Sequence, residues 1–221
     1  MFSPENINQI ITTISIWGIP VLLAITLHEA AHGYVAKLWG DSTALMLGRV
    51  TLNPIKHIDP FGTVLMPIIL AVMGAPILGY AKPVPVSFRN LKPLKQGMIA
   101  VALAGPAANL VLVIVSVLLL YVVPFVPEFM LKPLFLMLDA SIKINLMLMC
   151  FNLLPILPLD GGRVLYALLP PKLAYKYGNT EQYGMIIILL LLFFGVFGKI
   201  LLPMMEFMFN LISWMLPAYL G

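Results

Sequence analysis

Apolar stretches near or beyond the roughly 20 residues a helix needs to cross a hydrocarbon core about 30 Å thick recur along this chain, and they leave few folds open. They run from Ile7 to Trp39, from Gly97 to Val123, over 129–154 and over 183–202, with a further run at 204–219 that either crosses or lies in the interface. Lipid offers no partner to a backbone N–H or C=O, so each must be satisfied within the fold, and a helical bundle is the economical solution. Composition agrees: 61% of the 221 residues are apolar and 10% are charged, which a water-soluble core of this size could use only by exposing large apolar patches. The chain therefore reads as an all-α polytopic membrane protein with about five to six transmembrane helices. A short extended or re-entrant segment is expected between the first two core helices. One membrane-embedded domain is expected over 1–221, with its core at about 7–167, C-terminal helices at about 183–219 and no separate soluble domain. No basic region followed by a short apolar segment and a small-residue cleavage site opens the chain, so the first span is expected to be retained.

Three ionisable side chains close that first span in the run His28-Glu29-Ala30-Ala31-His32. Residues four apart share a helix face, so both imidazoles can converge on one Zn²⁺ ion while Glu29, one step round, reaches a metal-bound water as general base. Charge within a bilayer costs roughly 2.5–3.5 kcal/mol or more per residue, which argues for a functional site over a buried His-Glu-His hydrogen-bond cluster. A hydrolytic zinc site needs a third protein ligand. Asp160, His57, Asp59, Cys150, Asp139 and Glu128 are the candidates, and Asp160 has the best surroundings. It lies in Asn152-Leu-Leu-Pro-Ile-Leu-Pro-Leu-Asp160-Gly161-Gly162-Arg163, where two prolines prevent regular helix and two glycines allow close backbone approach. Such irregular backbone survives in a membrane around a cavity. Asn152 either supplies an oxyanion donor or caps the broken helix.

The remaining polar residues have plainer readings. His57, beside Lys56 and Asp59, reads as solvated or as a helix-entry residue. Asp139 and Lys143, four apart, read as an ion pair, and the lone Cys150 as an apolar filler. The segment from Leu45 to Ile58 is expected to be extended or interfacial, with Asp59 capping a helix that starts at Pro60. Residues 61–79 are interrupted by Pro67 and Gly74-Ala75-Pro76 and either cross or re-enter. Placing the basic loops 37–56 and 82–95 together on the cytoplasmic side favours a hairpin. The net charge of +4 sits in loops beside the spans and calls for no nucleic acid. Gly105 to Asn109 brings small residues for close helix packing and an amide able to bond across helices.

Taken together, these blocks resemble the site-2 protease family of intramembrane zinc metalloproteases, in its compact prokaryotic branch. The likeness rests on His28 to His32, on Gly105-Pro106-Ala107-Ala108-Asn109, on Asn152 to Gly162 and on the run Arg49 to Gly62, and covers about 24–165. It implies His28, His32 and Asp160 as ligands of one Zn²⁺ per chain, Glu29 as general base and Asn152 as a substrate or oxyanion contact. It also implies a multi-pass protein of a prokaryotic cytoplasmic membrane, with the site toward the cytoplasm, whose partners are the lipid bilayer and membrane-protein substrates cut at a transmembrane helix. Such a substrate must unwind locally, and strand addition to the segment between the first two blocks would hold it open. Cleavage that survives prolines placed along that segment would contradict this. The rival reading is a membrane metal-ion transporter using the same His/Asp site, which should show broken or ionisable segments in corresponding positions of two repeated halves. The chain has no such repeat.

Overall fold

The computed structural model describes residues 4–66, 69, 79 and 81–218, with side chains described from 11 onward except at 64. Among these residues the fold is helical and without strands. Three long helices carry it: α1 (Pro4–Leu38), α3 (Leu94–Leu120) and α4 (Glu128–Asn152). Between α1 and α3 lies the short α2 (Thr43–Met46). After α4 come α5 (Asp160–Leu168), α6 (Pro171–Gly178), α7 (Glu181–Phe193) and α8 (Val196–Ser213). Residues Ile11–Leu38 of α1, together with α3, α4 and α8, are long and apolar enough to cross a membrane, and α7 is a shorter apolar helix. The all-helical, polytopic expectation is borne out.

Each of α1, α3 and α4 packs against the other two, and α5 packs on α3. Val113, Val117 and Leu120 of α3 meet Leu138, Ile142, Leu146, Met149 and Cys150 of α4, with Ile212 of α8 closing the cluster. Cys150 is thus the buried filler expected of it, and Lys143 Nζ lies 2.6 Å from Asp139 Oδ2 in the expected pair. A second cluster joins Ala36, Leu91, Met98 and Val101 at the end of α1 where the α3 chain enters.

Two expectations need revision at the level of elements. The apolar run 183–202 is not one helix: the chain turns at Gly195, whose φ of 67° lies in the left-handed region, so α7 ends at Phe193 and α8 starts at Val196. His57 is not solvated; it is 1% exposed, with Nε2 3.0 Å from the Thr51 carbonyl oxygen and its own carbonyl accepting from Lys82 N–H at 2.9 Å. Burial there comes from a tight loop fold. Pro54–His57 forms a 3-10 turn capped by Asn53, and Pro60–Leu65 a π-helical turn whose Phe61 and Gly62 N–H groups donate to Asp59, as its capping role predicts. The choice between crossing and re-entry for 61–79 rests on Pro67 and on 70–78, which lie outside the described residues.

Residues 81–87 run back toward α1 without regular structure, held by a polar clamp. The buried Asp41 carboxylate accepts from Thr43 N–H, Thr43 Oγ1, Ser87 N–H and Asn90 Nδ2. Burial disfavours the Asp41 charge, but these donors outweigh it and hold the carboxyl below its ordinary 3.8. Arg49 Nη2 donates to Lys82 O at 2.7 Å, and Gly33 lets Val50, Val84 and Ala44 approach α1 closely.

Candidate metal centre

His28 and His32 project from one face of α1 as their four-residue spacing requires, and α5 delivers Asp160 to the same point. His28 Nε2 lies 3.3 Å from Asp160 Oδ2, His32 Nε2 lies 3.4 Å from Asp160 Oδ1, and the two Nε2 atoms are 3.1 Å apart. The three side chains are only 9%, 12% and 15% exposed. Among the described residues this is the group of His, Cys, Asp and Glu placed to hold a metal ion; His57, Asp59, Cys150, Asp139 and Glu128 do not join it.

The helix break before Asp160 explains how a residue eight positions beyond Asn152 returns to α1. Pro155 and Pro158 interrupt the helix, and the connection folds on itself through Ile156 N–H to Leu154 O and Leu159 N–H to Ile156 O. The two glycines that follow are dictated by contact. A Cβ on Gly161 would lie 2.1 Å from the Leu153 carbonyl oxygen, and one on Gly162 would lie 2.6 Å from the Ile156 carbonyl carbon.

Both imidazoles are oriented by their other nitrogen. His28 Nδ1 is 2.6 Å from Asn109 Oδ1 and His32 Nδ1 is 2.7 Å from the Val101 carbonyl oxygen, acceptors that require each Nδ1 to carry its hydrogen. The Nε2 lone pairs are thereby left facing Asp160, the arrangement expected of metal-bound histidine. Gly105 supplies the room: a Cβ there would stand 2.5 Å from His28 Cε1 and from His32 Nε2. The second sequence block thus serves the centre directly, Gly105 by having no side chain and Asn109 by accepting from His28. The sequence marks Gly105 for helix packing and Asn109 for a bond across helices; that bond is present, and its partners are His28 and Asn145. The spacing of four between Gly105 and Asn109, on one face of α3, was the available signal for their role at the centre.

The donor set fits a catalytic zinc ion. Tetrahedral coordination at 2.0–2.2 Å separates ligand atoms by about 3.3–3.6 Å, close to the spacings observed. Asp160 Oδ2 is buried without a hydrogen bond, an orphaned anionic atom that a cation would satisfy. Two imidazoles and one carboxylate leave a fourth position for water.

Glu29 points to the side where the 81–87 segment passes, and its Oε2 accepts from the Val84 N–H at 2.8 Å. Asn152 is the last residue of α4, and its Nδ2 donates to the Leu148 carbonyl at 3.0 Å, a bond within its own helix. No hydrogen bond joins Asn152 to the cluster among the described residues. Beside the His28–His32 turn, an apolar groove of about 310 Å³ runs between Ala30, Ala31 and Tyr34 of α1, residues 50–52 and Ala108 of α3.

Membrane-length helices around a buried His₂Asp cluster with an adjacent glutamate define a membrane-embedded metallopeptidase centre. The chain belongs to peptidase family M50, whose pattern matches residues 17–140, so the site-2 protease likeness holds. It is 40% identical over 192 residues to a Bacillus subtilis protein named "Putative zinc metalloprotease YwhC", covering 85% of this chain and 84% of that one. It is 31% identical to "Putative zinc metalloprotease Rip2" of Mycolicibacterium smegmatis, covering 77% of this chain and 64% of the relative. With "Zinc metalloprotease MJ0392" of Methanocaldococcus jannaschii it shares 29% identity over 81% of its own length and 43% of the relative's. No solved structure matches the chain significantly.

Proposed function

We propose that this protein is a zinc endopeptidase that hydrolyses peptide bonds within or beside the transmembrane segments of other membrane proteins. The observation that carries the reading is the His28–His32–Asp160 cluster on a membrane-length helix, with both Nδ1 atoms committed elsewhere and both Nε2 atoms turned toward the carboxylate. His28, His32 and Asp160 would hold the zinc ion, which would supply Lewis acidity to polarise a carbonyl and to acidify water.

The remaining steps belong to the chain. Glu29 is the general base: with one oxygen held by the Val84 N–H, the other is left to take a proton from the attacking water and return it to the departing amine. One Asn152 Nδ2 hydrogen is used by Leu148, and the second is the donor offered to the developing oxyanion. The apolar groove beside Ala30 and Ala31 suits an unwound segment of apolar side chains.

The site faces the cytoplasm in this reading. His32 lies six residues, about 9 Å, before the end of α1, and Lys37 in its last turn and Lys92, whose N–H donates to the Trp39 carbonyl just past it, bring basic residues to that end, which supports the orientation. Co-expression of the chain or its Glu29→Gln variant with tagged single-span proteins, read by mass spectrometry, tests the proposal. Cleavage within a span that disappears in the variant is expected; cleavage that persists at the same bond contradicts the assigned base.

A further inference from the structure

Behind His28 a buried polar chain crosses the bundle, and it does not end at Asn109. The Asn109 side chain is 0% exposed; its Oδ1 faces His28 Nδ1, and its Nδ2 donates to Asn145 Oδ1 at 2.8 Å and to the Ala24 carbonyl at 3.3 Å. Asn145, also 0% exposed and on α4, donates its own Nδ2 to the Ser141 carbonyl at 2.8 Å. Ser141 Oγ in turn meets Ser116 Oγ of α3 at 2.7 Å.

The direction of this chain is set at one end by an atom that cannot change role. A backbone carbonyl only accepts, so Ser141 O requires the nitrogen of Asn145, which turns the Asn145 oxygen toward Asn109. That oxygen requires the nitrogen of Asn109, which turns the Asn109 oxygen toward His28. His28 must then carry its hydrogen on Nδ1 and present the Nε2 lone pair to the metal position. We propose that Asn145 is a positioning residue of the zinc site: it fixes the amide orientation of Asn109 and through it the His28 tautomer that binds metal. The proposal rests on the zinc site proposed above. Without Asn145 the short acceptor for Asn109 Nδ2 is lost and only the longer Ala24 contact opposes a flip. A flipped Asn109 offers N–H to Nδ1 and drives the hydrogen to Nε2, where it blocks the ligand.

The test measures zinc affinity of the purified full-length protein in detergent by competition with a chromogenic chelator, alongside thermal melting. Wild type and His28→Ala first establish that the zinc measured is the zinc of this site; if both retain it equally, the site assignment fails, not the relay. Asn145→Leu and the smaller Asn145→Ala are each expected to weaken zinc binding about tenfold, the low end for outer-shell partners of a metal-bound histidine. In an Asn109→Ala background the same substitutions should change zinc affinity less than about twofold, because the residue they act through is gone. Ser116→Ala, which cuts the far end of the chain but spares the Ser141 carbonyl, should lower the melting temperature and leave zinc affinity unchanged. Unchanged zinc affinity in folded Asn145 variants, or effects at 109 and 145 that multiply, would overturn the proposal.

Discussion

Gly105 carries no functional group, yet it is the residue whose replacement should damage the centre most directly. Any Cβ there intrudes on both imidazoles at about 2.5 Å, and the rings cannot retreat without leaving Asn109 and Val101. Gly105→Ala is therefore expected to fold, since it sits in a helix that tolerates alanine, and to hold zinc at least tenfold less tightly in the same chelator competition. At this scale His28, Glu29 and His32 announce themselves, because one helix turn brings them together and their spacing is visible in five letters. Asp160 stood out among six candidates by its prolines and glycines, and the family resemblance implied it as a ligand. The partners of these side chains were only partly legible. Asn109 reads as an amide that bonds across helices, but its partner His28 lies 81 residues away, Val84 meets Glu29 across 55, and Asn145 touches no ligand at all, so no local pattern pairs them.

Among the elements, the connection between α1 and α3 holds most of what sequence reading missed. The Asp59 cap is legible in the sequence, because a side chain before a proline caps the backbone locally; the Asn53-capped turn and the burial of His57 are not, since the latter depends on where the returning segment 81–90 lies. Asp41 makes the join: four donors from two segments converge on one buried carboxylate. Removing it strands those donors, so Asp41→Ala should cost about 2–3 kcal/mol of stability. Because the folded carboxyl titrates below 3.8, its contribution is fully present above the ordinary carboxylate value and is lost as pH falls through the lower folded value. Melting of the wild type should consequently steepen its decline below pH 4, with a smaller decline in Asp41→Asn. The same clamp presents the Val84 N–H to Glu29, which ties the shape of the loop to the setting of the proposed base. Among the C-terminal elements, the apolar run 183–202 concealed a turn, since hydropathy reports burial in lipid and not the backbone angle at Gly195.

For the whole molecule, three helices that only lipid could surround are pinned together by a polar centre. α1, α3 and α5 each contribute to that centre, by ligand, support or both, and α4 contributes through Asn145. A bound zinc ion should therefore stabilise the bundle as well as serve chemistry. With free zinc at about 100 times the dissociation constant the linkage is about 2.7 kcal/mol, so chelation should lower the melting temperature of the wild type and leave that of Asp160→Asn nearly unmoved. Membrane class and helical architecture were plain in the sequence, because composition alone excludes a water-soluble core. How the helices meet was not, because apolar surfaces of similar character can pack in several ways, and it is the buried polar contacts that select one.

The central claim is that one zinc ion is held by His28, His32 and Asp160 inside this bundle. X-ray absorption at the zinc edge, on purified full-length protein with metal content measured in the same sample, addresses it most directly. The account predicts one zinc per chain bound by two imidazole nitrogens and oxygen at about 2.0–2.2 Å, and loss of that signal in Asp160→Ala and His32→Ala. Stoichiometric zinc with an unchanged spectrum in either variant, or sulfur from Cys150 in the coordination shell, would contradict it.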